Sequence, residues 1–319
     1  MLRNFLILGG TGFVGRSVAE KLVERSGGAA GRLRIATRRV ARARHLQLLP
    51  TVEIAEGDVH DETALAHLLR GTDAVINLVA ILHGSEADFE RVHVRLPARL
   101  AEACKAAGVR RVIHVSALGA GADAPSRYLR SKARGEEVLR RAGLDLTVLR
   151  PSVIFGERDR FLNLFARLHR ISPLLPLAGA TARFQPVWVD DVASAIVAAL
   201  DDPTTIGTTI ECCGPRVYSL AELVRAAGEW SGHRRPIFAL PPALGRVQAF
   251  VLEMLPGTPL MSRDNVDSMR VANVASGKLP GLERLGIEPS PLEAIAPRYL
   301  GHVSGEKRLE AWRSRARRG

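Results

Sequence analysis

Asn4-Phe5-Leu6-Ile7-Leu8-Gly9-Gly10-Thr11-Gly12-Phe13-Val14-Gly15 is the stretch on which the reading of this chain turns. An apolar run that breaks into glycines reads as a buried parallel strand turning sharply into a helix. Gly9, Gly12 and Gly15 are spaced so that the backbone can approach a pyrophosphate with no Cβ in the way. The first free N–H groups of the helix then point at the negative charge. Contacts are therefore expected from Gly9, Thr11, Gly12, Phe13, Val14 and Gly15. A plain glycine turn would need neither the periodic helix over Phe13–Glu24 nor the second strand at Leu33–Thr37. That context favours a dinucleotide fingerprint.

Just beyond the second strand stand Arg38 and Arg39. An NAD site usually has a carboxylate there for the ribose 2′-hydroxyl, whereas guanidinium groups pair with a 2′-phosphate, so the expected cofactor is NADP(H). Two solvated loop charges are the alternative. The third strand, Val52–Val59, ends in Gly57-Asp58-Val59. Asp58 and the Val59 amide can reach the adenine edge, or Asp58 caps the helix Asp61–Leu69. The fourth strand, Ala74–Ala80, should bring Leu78, Val79 and Ala80 over the pyrophosphate and ribose.

The helix from Phe89 to Ala107 carries Val92, Leu96, Leu100 and Cys104 in helical register, and its His93 reads as a packing residue. After a fifth strand, Val112–Leu118, Tyr128 and Lys132 lie four apart on one helix face. There the ammonium can bond the nicotinamide ribose and lower the phenol's pKa, which suits the tyrosine to pass a proton while hydride moves. The strand Leu146–Arg150 leads into Pro151–Gly156, with Pro151 and Val153 expected at the nicotinamide end. Asp190 or Asp191 should cap the next helix, and Ile206–Gly214 adds a last strand. The expected fold is α/β, a Rossmann doubly wound parallel sheet with a smaller C-terminal α/β lobe. Residues 1–156 and 184–214 would form the nucleotide domain, and 157–183 and 215–319 the lobe for a substrate or partner. Its most apolar helix, Pro242–Pro256, is either lobe core or a lipid-facing surface.

The 319 residues are 46% hydrophobic and 24% charged, ordinary for a globular protein. Apolar runs stop well short of the ~18 residues of a membrane span, and the start lacks the features of a secretory signal. Cys104, Cys212 and Cys213 suit neither a disulfide framework nor a metal site, so no metal is expected and the compartment is read as reducing. A cytoplasmic protein, or one peripheral to the inner membrane, is the expectation. Net charge is +12. The last residues carry Lys307, Arg308, Arg313, Arg315, Arg317 and Arg318, a tail suited to an acidic membrane, nucleic acid or acidic partner, or simply solvated. No specific nucleic-acid recognition is expected.

Taken in order, Leu8–Gly15, Gly57-Asp58-Val59, Val115-Ser116-Ala117, Tyr128-x-x-x-Lys132, Arg150-Pro151-Ser152-x-x-Phe155-Gly156 and Val189-Asp190-Asp191-Val192-Ala193 resemble the extended short-chain dehydrogenase/reductase superfamily, with its epimerases and dehydratases. Within it, the chain looks like the atypical group containing the 39 kDa accessory subunit of respiratory complex I. Ser126–Glu136 is the most group-specific piece. The resemblance implies NADP(H) held by the glycine turn, the second-strand arginine, Asp58, Val59, the fourth-strand end, Lys132 and the turn after Arg150. It implies a catalytic set of Tyr128, Lys132 and, approximately, Ser116, while His93 stands where active members usually carry asparagine. Such a chain would hold its nucleotide as an accessory or assembly factor linked to complex I or quinone metabolism. The alternative is an NADP-dependent reductase or nucleotide-sugar epimerase/dehydratase using Tyr128 and Lys132 on a small molecule.

Overall fold

The computed structural model describes residues 2–28, 31–254, 257 and 259–301. Its first half alternates strand and helix: β1 Asn4–Leu8, α1 Phe13–Arg25, β2 Arg32–Thr37, β3 Val52–Glu56, α2 Glu62–Leu68 and β4 Ala74–Asn77. Then come α3 Glu86–Phe89, a π-helical segment Glu90–Arg95, α4 Leu96–Ala107, β5 Arg111–Val115, α5 Arg127–Arg141 and β6 Asp145–Pro151. The second half adds β7 Ile154–Phe155, α6 Leu162–Ile171, β8 Leu175–Leu177, β9 Arg183–Phe184, β10 Val187–Trp188, α7 Val189–Asp201 and β11 Thr209–Cys212. It closes with β12 Tyr218–Ser219, α8 Leu220–Trp230, β13 Ile237–Ala239, α9 Pro242–Met254, α10 Arg263–Ser268 and α11 Leu292–Leu300.

Seven strands form one sheet in the order β11-β6-β5-β4-β1-β2-β3, every neighbouring pair parallel. Chain order reverses between β1 and β4, and in such sheets the crevice at the reversal takes the ligand. Both faces are covered, which is why β1 is continuously apolar from Phe5 to Leu8 rather than alternating. Phe5 and Ile7 pack with Val18 and Leu22 of α1 and Val192 and Ile196 of α7. Leu6 and Leu8 face Leu65 of α2, Leu100 of α4 and Leu139 of α5. The doubly wound sheet expected from the glycine turn is present.

A second core gathers Phe155, Phe165, Leu175, Tyr218, Leu223 and Leu300 into the lobe. The division expected at residue 215 is crossed, because Leu282, Leu285 and Ile287 pack on the sheet-side core instead. Neither Asp190 nor Asp191 caps α7. Trp188 holds that position without a side-chain bond, and the buried Asp191 carboxylate accepts from the Ser290 amide (2.7 Å) and hydroxyl (3.1 Å), tying a distant loop to the helix. Over its described length, α9 buries only Gly245 and Ala249, so its large apolar residues are not lobe core. Leu255, Pro256 and the basic tail lie outside the described residues.

Candidate functional site

The glycine turn sits at the sheet reversal. Gly9 has φ +81°, and a Cβ there would stand 3.1 Å from the Leu78 carbonyl carbon and 3.2 Å from the Val79 nitrogen. The turn is thus pressed against the end of β4, where only glycine fits. A Cβ on Gly15 would stand 2.5 Å from the Gly10 Cα, so the third glycine lets α1 pack on its own turn. Gly12 is the N-cap of α1, with no side-chain cap bond and no acidic residue in the first turn. The amides at Phe13 and Val14 therefore face outward from a positive helix end suited to an anion.

Beside the turn opens a cavity of about 520 Å³ between the ends of β1, β2, β3 and β4. Gly9, Thr11, Arg38, Arg39, Asp58, Val59 and Val79 all line it, so seven residues expected from scattered points of the sequence come together. Arg38 and Arg39 are exposed there, and no ion pair among the described residues involves either. The Thr37 hydroxyl accepts from the Arg39 amide (3.2 Å) and orients the loop. Asp58 is not the cap of α2: Asp61 is, accepting from the Ala64 amide (2.7 Å). Asp58 instead turns the chain by accepting from the His60 amide (3.0 Å), at the cavity wall. Thr37 and His60 also line it, without any marker in the sequence pattern.

At the other end, α5 carries Tyr128 and Lys132. Lys132 is 1% exposed, and its Nζ donates to the Val115 carbonyl (2.8 Å). Burial pulls its pKa down to about 8 against the pull of Glu136 upward. Glu136 in turn clasps Arg150 in two bonds of 2.9 and 2.7 Å, anchoring α5 to β6. The phenol behaves opposite to expectation. Burial raises the Tyr128 pKa to about 12, the half-buried ring lying edge-on to Phe89 and His93. The tyrosine hydroxyl has no hydrogen-bond partner among the described residues. Ser116 comes close in chain to this end; its Oγ is buried and likewise without a partner, the kind of polar atom that a bound group would satisfy.

His93 occupies the π-helical segment. Its Nε2 accepts from the Ile81 amide (3.1 Å), which leaves the proton on Nδ1, donated to the Ser131 hydroxyl (2.8 Å). The Ser131 hydroxyl in turn donates to the Tyr128 carbonyl (2.7 Å). Burial, helped by the Lys132 charge, lowers the histidine's pKa to about 3, so the ring is neutral. It tethers the loop after β4 to α5. Packing is its role, as the sequence suggests, though no sequence pattern marks the tether itself.

Two lobe residues that the sequence does not single out close this end. The buried Asp264 carboxylate accepts from the Arg127 (2.8 Å) and Tyr128 (3.1 Å) amides, covering the N-terminus of α5. Asn273 Oδ1 accepts from the Ser152 hydroxyl (2.6 Å) and the Val153 amide (3.0 Å). Val153's carbonyl accepts from Val187 (3.0 Å), and Pro151's from Leu118 (2.9 Å). Val153 thus has only its side chain to offer a cofactor. A smaller cavity of about 260 Å³, walled by His83, Phe89, Arg127, Glu253, Arg263 and Asp264, lies where the lobe meets α5. Among the described residues no cluster of three or more His, Cys, Asp or Glu could hold a metal ion, and no helix is long and apolar enough to cross a membrane.

Residues 9–203 match the family model described as NAD(P)H-binding. The chain is 37% identical to the mitochondrial NADH dehydrogenase (ubiquinone) 1 alpha subcomplex subunit 9 of Mus musculus, over 90% of this chain and 77% of that protein. It is 30% identical to a ceramide reductase of Caulobacter vibrioides, over 74% of this chain and 73% of the relative. Among solved structures it resembles the dTDP-glucose 4,6-dehydratase DesIV of Streptomyces venezuelae, solved with NAD and TYD bound. That similarity has a TM-score of 0.73 at 22% identity, covering 93% of this chain and 95% of the other, and it speaks to the fold.

Proposed function

Since this chain belongs to the NAD(P)H-binding family, in the atypical dehydrogenase/reductase group of the complex I 39 kDa subunit, we propose that it holds NADP(H) as an accessory or assembly protein of a respiratory or quinone-linked complex. Its place would be peripheral to the inner membrane. The relatives named for subunit 9 motivate the partner. The observation that carries the reading is a contrast: Arg38 and Arg39 stand at the wall of the cavity with no ion pair among the described residues, whereas Lys132 is already engaged by Val115.

Bound nicotinamide nucleotide supplies hydride chemistry; the chain's own residues bind and orient it. The α1 amides and the glycine turn take the pyrophosphate, Asp58 and Val59 the adenine edge, and the two arginines the 2′-phosphate. The ends of β4, Pro151 and the Val153 side chain flank the nicotinamide half. Lys132 has donors to spare for the ribose. Titration calorimetry checks the cofactor: NADPH should bind more tightly than NADH, and equal or reversed affinities would reject the NADP(H) assignment.

A second reading, an NADP-dependent reductase or nucleotide-sugar epimerase/dehydratase, is favoured by one specific feature. Among the described residues, neither the Tyr128 nor the buried Ser116 hydroxyl has a protein hydrogen-bond partner. Turnover of a small carbonyl or sugar nucleotide that vanishes in Tyr128→Phe would support it over the holder.

A further inference from the structure

Among the described residues, those lining the cavity of about 520 Å³ all lie between Gly9 and Val79, so none belongs to the lobe. The other end is tied to the lobe, and both ties come from one stretch, Ser262–Asn273. α10 opens there with a reciprocal cap between Ser262 and Asn265, which fixes its first turn. From that turn Asp264 reaches the Arg127 and Tyr128 amides of α5, at 2.8 and 3.1 Å. Further along, the Asn273 amide donates to the Arg183 carbonyl (2.8 Å), and its carbonyl accepts from the Gln185 amide (2.9 Å). With its backbone held on both sides, Asn273 presents Oδ1 to Ser152 and Val153 in the turn after β6. Between the two ties, Met269 packs on Gly179, where a Cβ would stand 2.8 Å from the Met269 sulfur. The stretch is anchored on the lobe and grips the sheet domain at two points.

Both grips are strong for polar contacts. Asp264 is buried, so its carboxylate has exchanged water for charge-assisted bonds at a helix end whose polarity favours a negative group. Ser152 is buried as well, and its hydroxyl is satisfied by Asn273 alone, through Oδ1 (2.6 Å) and the carbonyl (3.2 Å). The elements gripped are the ones proposed above to flank the nicotinamide half. α5 carries Lys132, and Ser152 and Val153 directly follow Pro151. One lobe segment therefore sets the spacing between them.

We propose that Asp264 and Asn273 are positioning residues for the nicotinamide half of the bound cofactor, clamping α5 and the turn after β6 so that NADP(H) leaves only when this lobe segment lets go. This deepens the holding role proposed above and rests on it. The test compares two ligands on the full chain. NADPH release is followed by its fluorescence after mixing with excess NADP⁺, and 2′,5′-ADP, which keeps the adenine and 2′-phosphate but lacks the nicotinamide half, is titrated by calorimetry. Asp264→Ala and Asn273→Ala should each speed NADPH release about tenfold or more. Their affinity for 2′,5′-ADP should stay within about twofold of wild type, because the lobe does not line that cavity. Asp264→Asn, which keeps an acceptor oxygen, should release NADPH more slowly than Asp264→Ala. Unchanged release in both alanine variants, an equal loss of 2′,5′-ADP binding, or no difference between Asp264→Asn and Asp264→Ala would overturn the proposal. A wild-type chain that binds neither ligand would sink the cofactor reading and the clamp with it; slow wild-type release that the variants do not speed would sink the clamp alone.

Discussion

The two regions proposed to take the adenosine and nicotinamide halves of the cofactor are built in opposite ways. At the first, backbone amides, Asp58 and two arginines line an open cavity of about 520 Å³. At the second, most polar groups already bond the protein, Lys132 to Val115, His93 to Ile81 and Ser131, the Val153 amide to Asn273 and the first α5 amides to Asp264, while the Ser116 hydroxyl is left over. An open charged seat favours affinity. A rigid end with a high-pKa phenol does little to favour turnover, because an efficient acid/base group needs a pKa nearer the working pH. On the proposed reading, the difference separates holding a nucleotide from using it.

The harshest way to break the comparison is at the turn itself. Gly9→Val forces a branched side chain into left-handed backbone and against β4, at a cost of about 2–4 kcal/mol. Nucleotide binding measured by calorimetry should disappear, with a lower melting temperature. Next, Arg38→Ala/Arg39→Ala should weaken NADPH about 10- to 100-fold and leave NADH nearly unchanged; an equal loss for both would mean the arginines do not read a 2′-phosphate.

The third effect belongs to the closed end. With its pKa moved from 6.5 to about 3, His93 binds fewer protons folded than unfolded. Its stabilising contribution is complete above pH 6.5 and is lost as pH falls through that window, about 2 kcal/mol by pH 5. Urea unfolding at pH 7 and pH 5 should show this acid loss, and His93→Asn should reduce it. Some acid dependence should survive in the variant, because burial also lowers the His114 pKa. Smallest of all, Tyr128→Phe should change NADPH affinity less than about threefold, since the hydroxyl makes no bond that holds the groove together. A large loss would bring Tyr128 into the binding seat and blur the two ends.

What could be read from the chain alone was local or periodic. The glycine turn, the strand ends and the i, i+4 pair of Tyr128 and Lys132 all announce themselves within a few residues. Their convergence follows from the doubly wound order. Asp264 and Asn273 were silent because each acts more than 100 residues away in sequence from its partner, and no spacing rule reaches that far. Local rivals also misled: Asp190 and Asp191 look like caps, yet Trp188 begins α7, and Asp61, not Asp58, caps α2. Hydrophobicity marked α9 as unusual without saying which way it faced. The direction of the Tyr128 shift is set by burial of the phenol beside Phe89 and His93, which only tertiary packing decides.

The most direct test is to purify the protein under native conditions, identify its nucleotide, and follow exchange against labelled NADPH. The account predicts NADPH near one equivalent per chain, exchanging over hours and not oxidised by added carbonyl compounds, sugar nucleotides or quinones. Exchange within seconds coupled to oxidation of one of them, or a chain that carries and binds no pyridine nucleotide, would contradict it.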